Sequence, residues 1–524
     1  FFTLADSSWF FYRDNGNAVF KFLDVDRDGD LDAFVGSSGR DTAYIAINDG
    51  TGIFHREIGR TSFCIGPVMG ATWGDIDEGG ALDIFISFAH EYGEISDMLL
   101  LNDGQGYFQN SPDRFPQIGG AYGGDVYFVD LDGDLDLDLL YIQLSNLARI
   151  YINDGQGYFI DETQGRLQTD SCGFASAVTD VNNDGALDML VSKKHYGCAL
   201  YINDGNGYFT DESSERLHDP PRVHFYCISS GDVNNDGWVD FIWSGGDSSP
   251  DSILVNLGGG YFENQTAQRM PNIRLDTWGS VIADLDGDGD NDYFRTGHYD
   301  FINRLFINTL DTPDSIAPEI LKARVLPRHV SFGGPYLLRI GAIDGVSIST
   351  QLRCLAYYSI LDSAFQYDSL EYAGGYIFEG VLPAIDSGQW INYYYLIQDK
   401  EGNTVYYPAG APDTFLTVIY DNLPDAIGED DTEPSHLDIY LSSYPNPFNS
   451  SVVISYHSWG QKGDELSIFN IEGKLVRTLS LSGKEGKIIW DACDALGNKV
   501  SSGVYFVKGL NNGNSRHLKL IYLK

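Results

Sequence analysis

The chain has 524 residues, with 33 Lys and Arg against 75 Asp and Glu, a formal net charge of −42. This excess of negative charge excludes nucleic acid, whose phosphates require a basic footprint, and disfavours docking on an anionic membrane. Hydrophobic content of 43%, with 59 Gly, 33 Tyr and 30 Phe, excludes wholesale disorder and points to short strands and tight turns in several domains. No apolar run reaches the roughly 18 residues that a membrane helix needs, so no transmembrane segment is expected.

The chain opens on Phe1-Phe2-Thr3-Leu4-Ala5-Asp6 without a charged-then-apolar leader, as expected after removal of a signal peptide or in a fragment. That segment is similar to the interior stretch Tyr208-Phe209-Thr210-Asp211. Between them lies a repeat. An acidic nonapeptide occurs six times, at intervals of 50 to 55 residues, as DVDRDGDLD, DIDEGGALD, DLDGDLDLD, DVNNDGALD, DVNNDGWVD and DLDGDGDND. A second signature follows each of the first five, around Asn48, Asn102, Asn153, Asn203 and Asn256, mostly as Asn-Asp-Gly-x-Gly-aromatic-Phe.

Each unit reads as four short strands. One enters the acidic loop, as in Phe174–Asp180, and an apolar run leaves it, as in Leu187–Val191. A third strand ends at the Asn-Asp-Gly turn, which suits residues with φ > 0, and a fourth carries the Phe. Four strands in about 50 residues predict an all-β fold with a six-bladed β-propeller over 1–312. The sixth unit lacks its last strand, and the segment at Phe2 is expected to supply it and close the ring. Seven blades is the alternative.

These two alternating motifs resemble the FG-GAP/VCBS repeats of integrin α-chain heads and of many secreted bacterial proteins. The resemblance implies a calcium-stabilised propeller used in adhesion or recognition. The residue chemistry points the same way. Calcium takes six to eight oxygen ligands, and closely spaced carboxylates with a Gly at the turn supply them.

The candidate metal ligands are Asp24, Asp26, Asp28 and Asp32; Asp75, Asp77 and Asp83; Asp130, Asp132, Asp134 and Asp138. The last three loops add Asp180, Asn182, Asp184 and Asp188; Asp232, Asn234, Asp236 and Asp240; Asp284, Asp286, Asp288 and Asp292. The first, third and fifth positions are expected to converge, with the ninth closing the shell. About six Ca²⁺ sites follow. The loop at Asp75–Asp83 is expected to be weakest, because Gly79 replaces its fifth carboxylate, and the third loop departs by carrying Leu135 in place of Gly.

No HExxH, GxSxG or phosphate-binding Gly-rich motif occurs, so no enzyme activity is expected. His90, His195 and His298 follow their loops at similar distances, beside Tyr92, Tyr196 and Tyr299. They read as a rim for a sugar or protein partner, or as ordinary loop residues copied by duplication. Six scattered cysteines fit no zinc or disulfide framework. One pair among Cys172, Cys198 and Cys227 is close enough to bridge, and buried free thiols are the alternative.

From 313 the repeat stops. Strand-like Trp390–Asp399, with Leu337–Ile340 and Val405–Tyr407, predicts an Ig-like or fibronectin-like β-sandwich over 313–421. An acidic linker is expected at 422–436. Residues 437–524, with Tyr444-Pro-Asn-Pro-Phe-Asn449, Leu466–Asn470, Trp490-Asp491, Ser502–Phe506 and Leu518–Lys524, resemble the C-terminal sorting domain of type IX secretion cargo, itself an Ig-like sandwich. The resemblance implies export to the bacterial cell surface. The expected function is a secreted, non-enzymatic, calcium-stabilised protein of surface adhesion or assembly, with a protein or glycan ligand. The alternatives are a homopolymer built by propeller-to-sandwich contacts and a carbohydrate-binding lectin.

Overall fold

The computed structural model describes residues 17–421 and 440–522. Within these spans it leaves out 38–42, 61–65, 90–95, 117–121, 145–146, 169–171, 194–196, 222–224, 246–248, 275–276, 298–302, 311–312, 331–332, 445–451, 458–464, 471–473, 482–485, 496 and 512–513. The chain divides into two compact units, 1–426 and 427–524.

In the first unit the repeats form six successive antiparallel sheets. The first runs in chain order through Asn17–Leu23, Asp32–Ser37, Tyr44–Asn48 and Phe54–Glu57. The second, third and fourth begin at Val68–Gly74, Tyr122–Val129 and Cys172–Thr179 and keep that order. The fifth begins at Phe225–Gly231 and gains Leu217–His218 from the preceding repeat, paired parallel to Phe262–Asn264. The sixth has three described strands, Thr277–Ala283, Asp292–Gly297 and Arg304–Phe306. The closing strand expected at Phe2 lies outside the described residues, as do His90, Tyr92, His195, Tyr196, His298 and Tyr299.

The second strands are apolar on both faces because each sheet is sandwiched between neighbours. Leu139, Leu140, Tyr141 and Ile142 are consecutive and buried. Phe34 and Ile45 pack against Ile84 and Ile86 of the next sheet, and Phe85 against Leu139 and Tyr141 of the one after. The same face-to-face packing continues to Ile242 and Tyr293 of the fifth and sixth sheets. The first strand of every sheet lines one common cavity of about 510 Å³, through Lys21, Trp73, Tyr127, Thr179, Ser230 and Ile282. Six repeated sheets around a shared axis are consistent with a β-propeller. The Asn-Asp-Gly turns are not two-residue hairpins: positive φ falls on two glycines, such as Gly155 (74°) and Gly157 (75°), while Asn153 accepts from both of their N–H groups.

Residues Glu319–Tyr420 form two further sheets joined through one long strand, Gln366–Gly374, which pairs with Arg353–Ile360 at one end and Ile377–Leu382 at the other. Leu338 and Ile340 from one sheet and Ala356, Tyr393 and Tyr395 from the other share its core. This sandwich packs directly on the acidic-loop end of the repeats. Ile343 enters the core between the third and fourth sheets, and Ala373 with Ile377 enters that between the second and third. At Gly375 (φ 50°) a Cβ would lie 2.1 Å from the Phe128 carbonyl oxygen, so only glycine allows the approach.

The second unit has two sheets, Tyr440–Tyr444, Val452–His457 and Gly486–Trp490, and Leu475–Ser480, Glu465–Asn470, Gly503–Asn511 and Asn514–Tyr522. Trp490 is buried between them, with its ring 5.1 Å from Tyr505 and its indole N–H donated to the Cys493 carbonyl at 2.9 Å. The predicted linker 422–436 lies outside the described residues. Cys198, Cys227, Cys354 and Cys493 are free thiols, so Cys198 and Cys227 do not bridge. The side chains of Cys64 and Cys172 are not described.

Candidate metal centres

The nonapeptide folds around its own carboxylates. The first-position Asp accepts backbone N–H groups from the loop it opens: Asp130 from Gly133 (2.8 Å) and Leu135 (2.9 Å), Asp180 from Asn182, Asp184 and Gly185. The fourth residue is left-handed wherever it is Arg27, Glu78, Asn183 or Asn235 (φ 55–62°), and the sixth is a left-handed glycine in five loops. In the third loop Leu135 itself takes φ 70°, held by burial in the core between the second and third sheets. That packing explains how the loop tolerates a missing glycine.

The ninth-position Asp clips two elements together. Asp138 accepts from Leu131 N (3.0 Å) and Asn153 N (2.8 Å), Asp188 from Val181 N and Asn203 N, and Asp32 from Val25 N and Asn48 N. The acidic loop and the Asn-Asp-Gly turn recur in step because this carboxylate binds both. The Asn of the turn then reaches back one repeat. Asn102 donates to Val25 O (2.9 Å), Asn153 to Ile76 O (2.8 Å), Asn203 to Leu131 O (2.9 Å), Asn256 to Val181 O (2.8 Å) and Asn308 to Val233 O (2.8 Å).

Three carboxylates of one loop converge in four of the six. Asp24, Asp26 and Asp32 each offer an oxygen within 4.8 Å of the others, as do Asp75, Asp77 and Asp83; Asp130, Asp132 and Asp138; and Asp284, Asp286 and Asp292. Two oxygens bound at about 2.4 Å to one calcium can be at most about 4.8 Å apart, so the spacing fits. The first, third and ninth positions meet. The fifth-position Asp28, Asp134, Asp184, Asp236 and Asp288 each accept the N–H two residues on. In the first and third loops, Oδ1 of Asp26 and of Asp132 is buried with no hydrogen-bond partner. Those orphaned oxygens fit a cation. In the fourth and fifth loops, Asn182 and Asn234 instead turn their carbonyls to Asp184 N and Asp236 N.

The sandwich supplies cations of its own. Arg339, fully buried, lies 3.6 Å from Asp75 Oδ2 and donates to Asp75 O, Leu135 O and Glu379. Arg324 pairs with Glu78 of the second loop. Lys400 contacts Asp284 of the sixth. Thus the second and sixth loops each have a side-chain ammonium or guanidinium at the first-position Asp.

Burial pushes several of the loop carboxyls upward. Asp188 and Asp240 rise to about 8, and Asp32 to about 6, chiefly by desolvation. Asp130 reaches about 7 by desolvation and then repulsion from Asp134. Asp75 reaches about 7 by desolvation and the neighbouring Glu379, against the pull of Arg339.

A repeated arginine escaped the sequence reading. Arg60, Arg114, Arg166 and Arg216 each follow the last strand of one sheet and donate to a turn carbonyl of the next: Gln105 O (2.7 Å), Gln156 O (2.8 Å), Asn206 O and Gly259 O. Each guanidinium also lies 4.8–5.0 Å from the ring of that turn's Tyr107, Tyr158, Tyr208 or Tyr261. The signal was present, since an Arg recurs six or seven residues after each repeat's Phe.

A profile of the FG-GAP-like repeat matches residues 24–86, 130–191, 180–243 and 232–294, so every acidic loop falls inside a matched span. A profile of the secretion system C-terminal sorting domain matches residues 442–523. No curated protein matches the sequence. Among solved structures, PorZ, described as an essential bacterial surface component of the type-IX secretion system of Porphyromonas gingivalis, is 13% identical. That alignment covers 98% of this chain and 87% of PorZ, with a TM-score of 0.19. Dimeric latent PorU from the same organism is 13% identical over 70% of this chain and 36% of its own, with a TM-score of 0.16. A fructofuranosidase from Schwanniomyces occidentalis is 9% identical over 80% and 93%, with a TM-score of 0.28. At such TM-scores these likenesses assign neither fold nor activity. The two profiles do assign: the chain carries FG-GAP-like repeats followed by a type IX secretion C-terminal sorting domain, and it is a secreted protein of the cell surface.

Proposed function

We propose that the chain is a non-enzymatic, calcium-stabilised recognition or adhesion protein of the bacterial surface, built as a six-bladed propeller capped by an Ig-like sandwich. The observation that carries this reading is the convergence of three carboxylates within 4.8 Å in the first and third loops, each with a buried unpartnered oxygen. Arg60 and Arg166 reach only one oxygen of Asp26 and of Asp132, at 3.5 Å, so without a further cation such clusters in a partly desolvated loop repel. Asp24, Asp26 and Asp32, and Asp130, Asp132 and Asp138, would hold the ion, which supplies charge neutralisation and loop rigidity.

Calorimetry with and without chelator tests the calcium reading. Each site that binds only the native state adds about 2.7 kcal/mol at a hundredfold excess of free calcium over Kd. A melting temperature that rises with calcium is expected. One that is identical in EDTA and in millimolar calcium overturns it.

A second reading, carbohydrate binding, is favoured by the outer face of the sandwich. Tyr357 and Tyr394 stack at 5.0 Å with planes 2° apart, flanked by Tyr367, Phe365, Phe415 and Tyr406. Tyr367 is half exposed. Amphipathic rings of this kind present an apolar face beside hydroxyls, which suits the mixed surface of a sugar. Binding on a glycan array that is lost in Tyr367→Ala is expected. No binding at millimolar sugar removes this reading.

A further inference from the structure

We infer that Asp314, Asp399 and Glu401 form a calcium site outside the six repeat loops, fastening the exit of the repeat array to the sandwich. It goes beyond the loop reading, because none of its ligands belongs to a nonapeptide.

The three residues come from two places. Asp314 follows the sixth repeat, and its N–H donates to the carbonyl of Gly289, the sixth residue of the sixth acidic loop, at 2.9 Å. Asp399 and Glu401 stand on the turn between the sandwich strands Trp390–Gln398 and Thr404–Tyr407. Each of the three offers a carboxylate oxygen within 4.8 Å of the other two, the same spacing found in the acidic loops. Asp314 and Asp399 are 6% and 4% exposed.

The second observation is an oxygen with nothing to satisfy it. Oδ1 of Asp314 accepts Ile316 N at 2.9 Å, but its Oδ2 is buried without a hydrogen-bond partner. A buried ionised oxygen left bare is costly, and native proteins satisfy such atoms with protein, water or an ion. The surrounding groups do not neutralise it. Asp399 spends its oxygens on Gly402 N, Asn403 N and the Asn403 amide. Asp344 adds a fourth carboxylate, whose Oδ1 accepts Val346 N and Ser347 N. Among the described residues the cation beside this cluster is Lys400, which is turned to Asp284 and reaches Glu401 Oε1 at 3.5 Å. An all-oxygen donor set with excess negative charge is the chemistry of a hard divalent cation, and calcium suits ligands drawn from separate loops.

The test is bound calcium per chain, measured by elemental analysis of the desalted full-length protein. Asp314→Asn and Glu401→Gln should each carry one calcium fewer than the wild type. Asp132→Asn, in the third loop, should also lose one, and Asp132→Asn with Asp314→Asn should lose two. If the junction variants keep the wild-type number while Asp132→Asn loses one, the junction site is wrong and the loop reading stands. If the junction variants lose one and Asp132→Asn does not, the reverse holds. A wild type free of calcium overturns both. Should Asp314→Asn fail to fold, Glu401→Gln decides alone, since its side chain lies at the edge of the cluster.

Discussion

The first acidic loop gathers Asp24, Asp26 and Asp32 with no sandwich side chain paired to it among the described residues, whereas the second and sixth receive Arg339 and Lys400, and the third meets Arg324 and Arg339 through Asp136 at 3.7 Å. One nonapeptide frame therefore meets different charge partners in different repeats. The difference is one of tertiary position: the second loop meets the strand Tyr336–Ile343, which carries Arg339, the sixth meets the turn that carries Lys400, and the first meets neither. The lesson is that a repeated ligand motif fixes local geometry, while the occupant is chosen by what packs against it. The low exposure of Asp75 makes its guanidinium partner hard to displace.

The largest expected effect comes from removing calcium and raising the pH. Asp188 and Asp240 have native pKa values near 8 in the metal-free protein, against about 3.9 unfolded. Between about pH 4 and pH 8 the native state then holds protons that the unfolded state has released. With more protons bound in the native state, stability falls as pH rises through that window. The chelated protein should melt progressively lower from pH 5.5 to pH 8.5. Calcium, which competes with those protons, should flatten the slope. A chelated protein that gains stability toward pH 8.5 would contradict the burial of these groups.

Arg339→Met breaks the contrast between the loops directly. It removes the guanidinium beside Asp75, leaving the Asp75 and Glu379 carboxyls buried without their shared cation, a loss of about 3–5 kcal/mol in chelator. If the two kinds of loop differ only in occupant, the variant should bind one more calcium than the wild type and recover part of that loss. Calcium stoichiometry and melting in parallel give the answer. A variant that is destabilised and gains no calcium shows that Gly79 also disables the loop.

Smaller still is the effect of loosening the arginine rivets between sheets, which recur after the last strands of the first four sheets. Arg166→Ala removes the bond to Asn206 O, the pairs with Glu162 and, at 3.5 Å, with Asp132, and the ring contact with Tyr208, about 2 kcal/mol together, while leaving the Asp132 carboxylate in place. Arg166→Lys should restore little, because one ammonium cannot stack and reach both acceptors. Calcium stoichiometry should not change. Denaturant titration in saturating calcium measures the loss, and full rescue by Lys would reduce the contact to simple charge.

Much of the local chemistry was legible in the sequence, because the first, third and ninth carboxylates of a loop lie within nine residues and meet through turn geometry alone. The bond that each fifth-position carboxylate accepts from the N–H two residues on was not, since it forms only once the loop closes. Long-range partners were illegible for a different reason. Asn153 meets Ile76 O across 77 residues, and Arg339 meets Asp75 O across 264. Nothing in the composition of either segment marks the other. The sandwich strands were readable as strands, but not the fact that Ile343 and Ala373 enter the cores of the repeat array.

The smallest effect on stability, and the sharpest on the comparison, belongs to Lys400. Its ammonium is a quarter exposed and keeps part of its hydration, and Asp284, although its side chain is 1% exposed, retains the N–H groups of Gly287 and Gly289, so Lys400→Met should cost only about 1 kcal/mol in chelator. Yet Asp284, Asp286 and Asp292 keep the same convergence as the first loop, and Asp284 has its carboxyl held below the ordinary range in part by that lysine. Burial opposes the shift, and hydrogen bonds from Lys400, Gly287 and Gly289 outweigh it. Removing the lysine leaves a loop with the first loop's ligands and no competing cation. Calcium affinity at the sixth loop should then rise about tenfold, equivalent to about 1.4 kcal/mol, read as a new tight phase in isothermal titration. A titration curve identical to the wild type would show that calcium already displaces Lys400, and that the side chain belongs to the calcium-free state alone.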